Sequence, residues 1–148
     1  MSSPEPGPGV HLGCWRLSEE VARGGWGAIH RAEDADGRVA AIKVLRPRSP
    51  DDAEEARARF LRERDLLGRL KHPHLVRLVD SGEIDGVPFL ALEWLPGPDL
   101  QRRITEQGPL SIDDTIRIAT QAADILAFLH AAGVVHRDLK PSNFSFDP

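Results

Sequence analysis

One stretch of the sequence gathers most of its reactive side chains: His136-Arg137-Asp138-Leu139-Lys140-Pro141-Ser142-Asn143. It holds a carboxylate, two cations, an imidazole and an amide, with Pro141 to stiffen the turn. Asp138 stands two residues before Lys140 and five before Asn143. That spacing suits an acceptor for a hydroxyl proton, a cation for a phosphate and an oxygen ligand for a hard metal. Farther upstream, Gly24, Gly25 and Gly27 would let backbone N–H groups approach an anion without side chains intervening. They would serve equally as a plain hairpin turn. Lys43 lies within an apolar run, where its ammonium must snorkel to water or meet a negative partner. His72, His74 and His130 form no cluster at metal-ligand spacing and are read as structural.

These groups need elements to hold them. Trp15 to Val21 and Ala28 to Ala32 flank the glycines as two strands of a hairpin. Val39 to Leu45 is an apolar run between turn signals and predicts a buried strand. Alternation places Ala41, Lys43 and Leu45 on one face, and Ala40, Ile42 and Val44 on the other. From Asp52 to Leu70 the pattern is helical, with Phe60, Glu63, Leu67 and Leu70 on one face. An acid in an apolar stripe wants a cation, and Lys43 is the simplest partner for Glu63. Arg57, Arg59, Arg62 and Arg64 read as solvated helix surface. His72-Pro73 ends that helix. Leu75 to Asp80 and Pro88 to Trp94 are further strands around a Gly82–Gly86 turn. Pro96-Gly97-Pro98 marks a boundary, after which Asp99-Leu100 begins a short helix. Ser111 starts a longer one whose apolar face is Thr115, Ile118, Ala122, Ile125 and Leu129.

The chain has 148 residues, 41% hydrophobic and 28% charged, as in an ordinary soluble globular protein. A net charge of −4 gives no reason to expect nucleic acid or an anionic membrane as partner. The single cysteine, Cys14, excludes an intramolecular disulfide framework. No apolar run approaches membrane-spanning length and the first residues lack a signal-peptide pattern, so a cytoplasmic protein is expected. Residues 1–12 are expected to form a disordered tail. Sixteen arginines stand against three lysines and one asparagine, which suggests a GC-rich coding sequence. Lys43, Lys140 and Asn143 stand out against that background.

Taken in order, the glycine turn, Ala41-Ile42-Lys43, Glu63, the segment Leu92 to Leu95 and His136 to Asn143 resemble protein kinases, specifically bacterial serine/threonine kinases of the eukaryotic type. The resemblance implies an α+β fold. Residues 13–95 would be a five-stranded antiparallel small lobe with one main helix, and 96–148 the start of a helical large lobe. It implies ATP and Mg²⁺ as cofactors and serine or threonine hydroxyls of a protein as acceptors. Asp138 would accept or orient the hydroxyl proton, Lys140 would steady the γ-phosphate, and Asn143 would ligate one Mg²⁺. Lys43, fixed by Glu63, would hold the α- and β-phosphates. Ala22, Gly24, Gly25, Gly27 and Ile29 would form the nucleotide-covering loop, with Ala41 and the gatekeeper Leu92 beside the base. Backbone groups of Glu93 and Leu95 would hydrogen-bond adenine. Arg137 would meet a phosphorylated activation loop, and Lys140 favours the serine/threonine branch over the tyrosine branch.

Three departures qualify the resemblance. Ala22 occupies the first glycine position of the loop pattern, and Ser145 stands where an aliphatic side chain supports adenine from below. No Asp-Phe-Gly follows Asn143 in the 148 residues. These residues by themselves are therefore expected to transfer phosphate poorly. The alternative is a catalytically inactive, nucleotide- or partner-binding pseudokinase fragment. A small-molecule phosphotransferase of the same fold is disfavoured by the intact Lys140-Pro141-Ser142-Asn143.

Overall fold

A computed structural model describes residues 6–25, 27–46 and 49–146. Residues 1–5 of the expected tail, and Trp26 of the glycine-rich turn, lie outside the described residues. Contacts divide the chain into two units, Met1–Lys71 with Val76–Trp94, and His72–Leu75 with Leu95–Pro148.

The first unit is built on one antiparallel sheet. Its strands are β1 His11–Leu12, β2 Trp15–Arg23, β3 Gly27–Glu33, β4 Val39–Leu45, β5 Leu78–Ile84 and β6 Val87–Glu93. They are ordered β1-β2-β3-β4-β6-β5. The sheet thus has six strands where five were expected. The extra one comes from the supposed tail: His11 and Leu12 pair with Arg16 and Trp15, and Leu12 is buried. The turn expected over Gly82–Gly86 is also corrected, because β5 runs on through Gly82 to Ile84. The residues that reverse the chain are Asp85 and Gly86, both at positive φ.

Both faces of the central strands are covered. Ala40, Ile42 and Val44 join Leu12, Trp15, Leu17, Ala32, Phe89 and Ala91 in one core cluster. Leu45 and Leu90 pack with Ala56 and Phe60 of α1 (Ala53–Arg69) in a second. The sheet also curls until its ends meet. The indole N–H of Trp15, on β2, donates to Asp80 Oδ2 on β5 at 3.0 Å. Helix α1 stops at Leu70, which is extended and so outside the helix that was expected to include it.

His30 on β3 is 2% exposed, and neither ring nitrogen has a hydrogen-bond partner among the described residues. Desolvation lowers its pKa, Glu20 across the ladder opposes that, and Arg23 adds to it. The folded chain therefore takes up the His30 proton at a lower pH than the unfolded chain, which binds it near the ordinary value of about 6.5. His30 contributes no penalty above that pH, and stability falls as the pH drops from there through the lowered folded value. Thermal melts of the unaltered chain should thus decline more steeply below about pH 6.5 than those of His30→Leu. Parallel pH profiles would contradict this.

The second unit holds α2 Leu100–Gln107 and α3 Ile112–Ala131. Asp99 caps α2 by accepting from the Arg102 N–H at 2.8 Å, and Ser111 caps α3 by accepting from Asp114 at 3.1 Å. Arg103 bonds Asp114 and joins the two helices. Ile118 and Leu129 are the buried residues of α3. Thr115, expected on that face, is exposed and donates its hydroxyl to the Ser111 carbonyl. His72 packs on Phe128 with ring centroids 4.9 Å apart, and its Nε2 meets Asp124 at 3.1 Å.

Candidate active-site residues

Strand register decides which predicted residues of the first unit meet. Ile29 lies opposite Ala22 on one side and Lys43 on the other, and Lys43 lies opposite Leu90. Ala41 lies opposite Leu92. Directly paired residues point to the same side of a sheet. Ala22, Ile29, Ala41, Lys43 and Leu92 therefore share the face on which α1 packs. Glu63 comes to that face from α1, and Lys43 Nζ donates to its Oε2 at 2.6 Å and its Oε1 at 2.9 Å. The two side chains are 28% and 38% exposed, so the ammonium is pinned yet still open to a further anionic partner.

Glycine is required at Gly27. A Cβ there would stand 2.4 Å from the Val44 carbonyl oxygen, because β3 starts against the backbone of β4. The Gly24 N–H donates to the Gly27 carbonyl at 2.8 Å and closes the turn that contains Gly25. A Cβ on Gly24 would find no atom nearer than 3.9 Å. Glu93 has its N–H bonded to the Arg77 carbonyl at 2.9 Å and its carboxylate to the Arg77 N–H.

In the second unit the loop after α3 is held by its own side chains. Arg137 has φ 63, a left-handed conformation that costs a non-glycine residue energy and is concentrated at functional sites. The kink turns the Asp138 N–H onto His136 Nδ1 at 3.2 Å. Asn143 Nδ2 donates to the Asp138 carbonyl at 2.7 Å. Its amide nitrogen is thereby committed to the loop. Lys140 Nζ stands 3.3 Å from Asp138 Oδ2, with both side chains more than half exposed. Leu100 donates its N–H to the Phe144 carbonyl at 2.8 Å, and Ser145 bridges to Asp99. Gly97 is needed beside this pairing, since a Cβ would meet the Phe146 carbonyl oxygen at 2.3 Å. Each unit thus holds its own group: the first a pinned ammonium beside a glycine turn, the second a carboxylate paired with a lysine and next to an amide.

The family model for the protein kinase domain matches residues 15–147. The chain belongs to the protein kinase family. Its curated relatives include the serine/threonine-protein kinase PknD of Mycobacterium tuberculosis, 40% identical over 144 residues. Another is a probable serine/threonine-protein kinase, pknA2, of Bifidobacterium longum, 36% identical over 146 residues. The matches cover 97% of this chain but only 22% and 19% of those relatives, so the chain spans about a fifth of their length. Among solved structures, the kinase domain of Mycobacterium tuberculosis PknI matches with a TM-score of 0.75 at 29% identity. That match covers 93% of this chain and 56% of the other. The apo form of PpkA-294 matches with a TM-score of 0.84 at 22% identity, over 98% and 58%, which speaks to the fold alone. The kinase family uses ATP and Mg²⁺. No helix among the described residues is long and apolar enough to cross a membrane.

Proposed function

We propose that the chain carries the nucleotide-binding and hydroxyl-activating residues of a kinase that moves the γ-phosphoryl group of ATP to serine or threonine of a protein. The observation that carries this reading is the Lys43–Glu63 ion pair, with both carboxylate oxygens on the ammonium. Glu63 holds the ammonium in one place, so that it meets the α- and β-phosphates without reorganising. Asp138 takes or orients the hydroxyl proton of the acceptor, and Lys140 neutralises charge on the transferred group. Asn143 would hold magnesium, which when bound draws negative charge from the phosphate oxygens. The 35–40% identity to kinases named as serine/threonine-specific supports that acceptor class.

The 148 residues include one of the two kinase magnesium ligands and no Asp-Phe-Gly. As an isolated polypeptide they would bind Mg·ATP and transfer phosphate slowly, in keeping with the alternative of a nucleotide-binding fragment. The function is tested by continuing the chain with the rest of the PknD kinase domain and supplying γ-labelled ATP, Mg²⁺ and a protein acceptor. Label on serine or threonine is the expected result. A folded, ATP-binding chimera that places none would contradict it.

A further inference from the structure

Helix α1 is held to the sheet by a second ion pair that sequence reasoning left as solvated surface. Arg57 Nη2 pairs with the Glu83 carboxylate of β5, and Arg57 Nη1 lies 3.5 Å from the Gly86 carbonyl. Arg57 and Glu63 stand three residues to either side of buried Phe60. At 3.6 residues per turn, each is displaced about 60° from the Phe60 direction, in opposite senses. Phe60 packs with Leu90 of β6, the strand between β4 and β5. Glu63 reaches one neighbour of that strand, Lys43 on β4, and Arg57 reaches the other, Glu83 on β5.

A helix seated on one apolar stripe can roll about its axis with little change in buried area. Two ion pairs on opposite flanks oppose roll in both directions, because turning toward one stretches the other. We infer that Arg57 is a positioning residue: through Glu83 and the β5–β6 turn it sets the roll of α1 at which Glu63 grips Lys43. It touches neither nucleotide nor acceptor. The latch rests on the nucleotide reading of Lys43 only for its consequence, which is that weakening it would lower Mg·ATP affinity.

The three lysines of the chain, Lys43, Lys71 and Lys140, make the test clean. Acylation takes the neutral amine, which forms more readily once the ammonium has lost its carboxylate and can give a proton to the buffer, so the modification rate at Lys43 relative to Lys71 reports the grip of Glu63. With the 148-residue chain, an amine-reactive ester and mass spectrometry, Arg57→Ala should raise that ratio about two- to fivefold, the range an exposed pair allows. Arg57→Lys should raise it less, and the exchanged pair Arg57→Glu with Glu83→Arg should restore it. The melting temperature should change little, since both side chains are about 40% exposed. An unchanged ratio in Arg57→Ala, or a ratio still raised in the exchanged pair, would overturn the inference. Should Arg57→Ala melt early, the exchanged pair decides. Mg·ATP affinity is expected to fall by the same factor. If the unaltered chain binds no Mg·ATP, the nucleotide reading fails while the acylation ratio still decides the latch.

Discussion

In a chimera completed with the PknD kinase domain, Asp138→Asn should slow phosphoryl transfer by about 10²- to 10⁴-fold, the usual contribution of a positioned acid or base. Asparagine keeps the size and the backbone contacts of the loop. The Asp138 N–H would still meet His136, and its carbonyl would still accept from Asn143. What disappears is the negative charge that holds Lys140 at 3.3 Å and that is proposed to take the hydroxyl proton. The loss should therefore fall on turnover, with the KM for ATP nearly unchanged. Steady-state transfer with labelled ATP separates the two. An equal rise in KM would mean that the substitution disturbed binding instead.

Trp15→Ala should cost about 3–5 kcal/mol of stability, the range for truncating a large buried aromatic side chain. Trp15 is 1% exposed and stands in the larger of the two core clusters. It also makes the hydrogen bond to Asp80 that brings the two ends of the sheet together. Domains are stable by about 5–15 kcal/mol in all, so this loss is a large share of the total. Denaturant unfolding followed by far-ultraviolet circular dichroism measures it. Trp15→Phe, which keeps most of the apolar volume and drops the N–H, should cost much less. Equal losses in the two variants would place the stabilisation in the hydrogen bond and not in the packing.

The parts of the fold that were legible in the sequence are those written in local pattern. Val39–Leu45 forms its strand as read, because a run apolar except for Lys43 lies between two turns. The pairing of Lys43 with Glu63 could be anticipated because each is a charge placed among apolar residues, and each is the other's simplest neutraliser. What escaped was set by pairing that no local pattern displays. Strand β1 has two residues and no periodicity, and the proline- and glycine-rich context outweighed it until pairing with β2 was visible. Gly82 looked like a turn residue, yet it stays in β5 by pairing with Phe89, whose ring fills the space where a Cβ would be. Arg57 sits among other helix arginines, and nothing in spacing alone separates it from them. Only the arrival of Glu83 from β5 does so. His30 carried a signal that could have been used, since alternation along β3 places it with Ala28 and Ala32 on the buried side.

Calorimetric titration of Mg·ATP into the 148-residue chain and its Lys43→Ala variant tests the central claim most directly. Removing the ammonium deletes charge-assisted contacts to the phosphates, which are worth about 1.5–3 kcal/mol. The unaltered chain should bind Mg·ATP saturably, and Lys43→Ala should bind about 10- to 100-fold more weakly while melting at nearly the same temperature. No binding by the unaltered chain, or equal affinity in the two, would contradict the account.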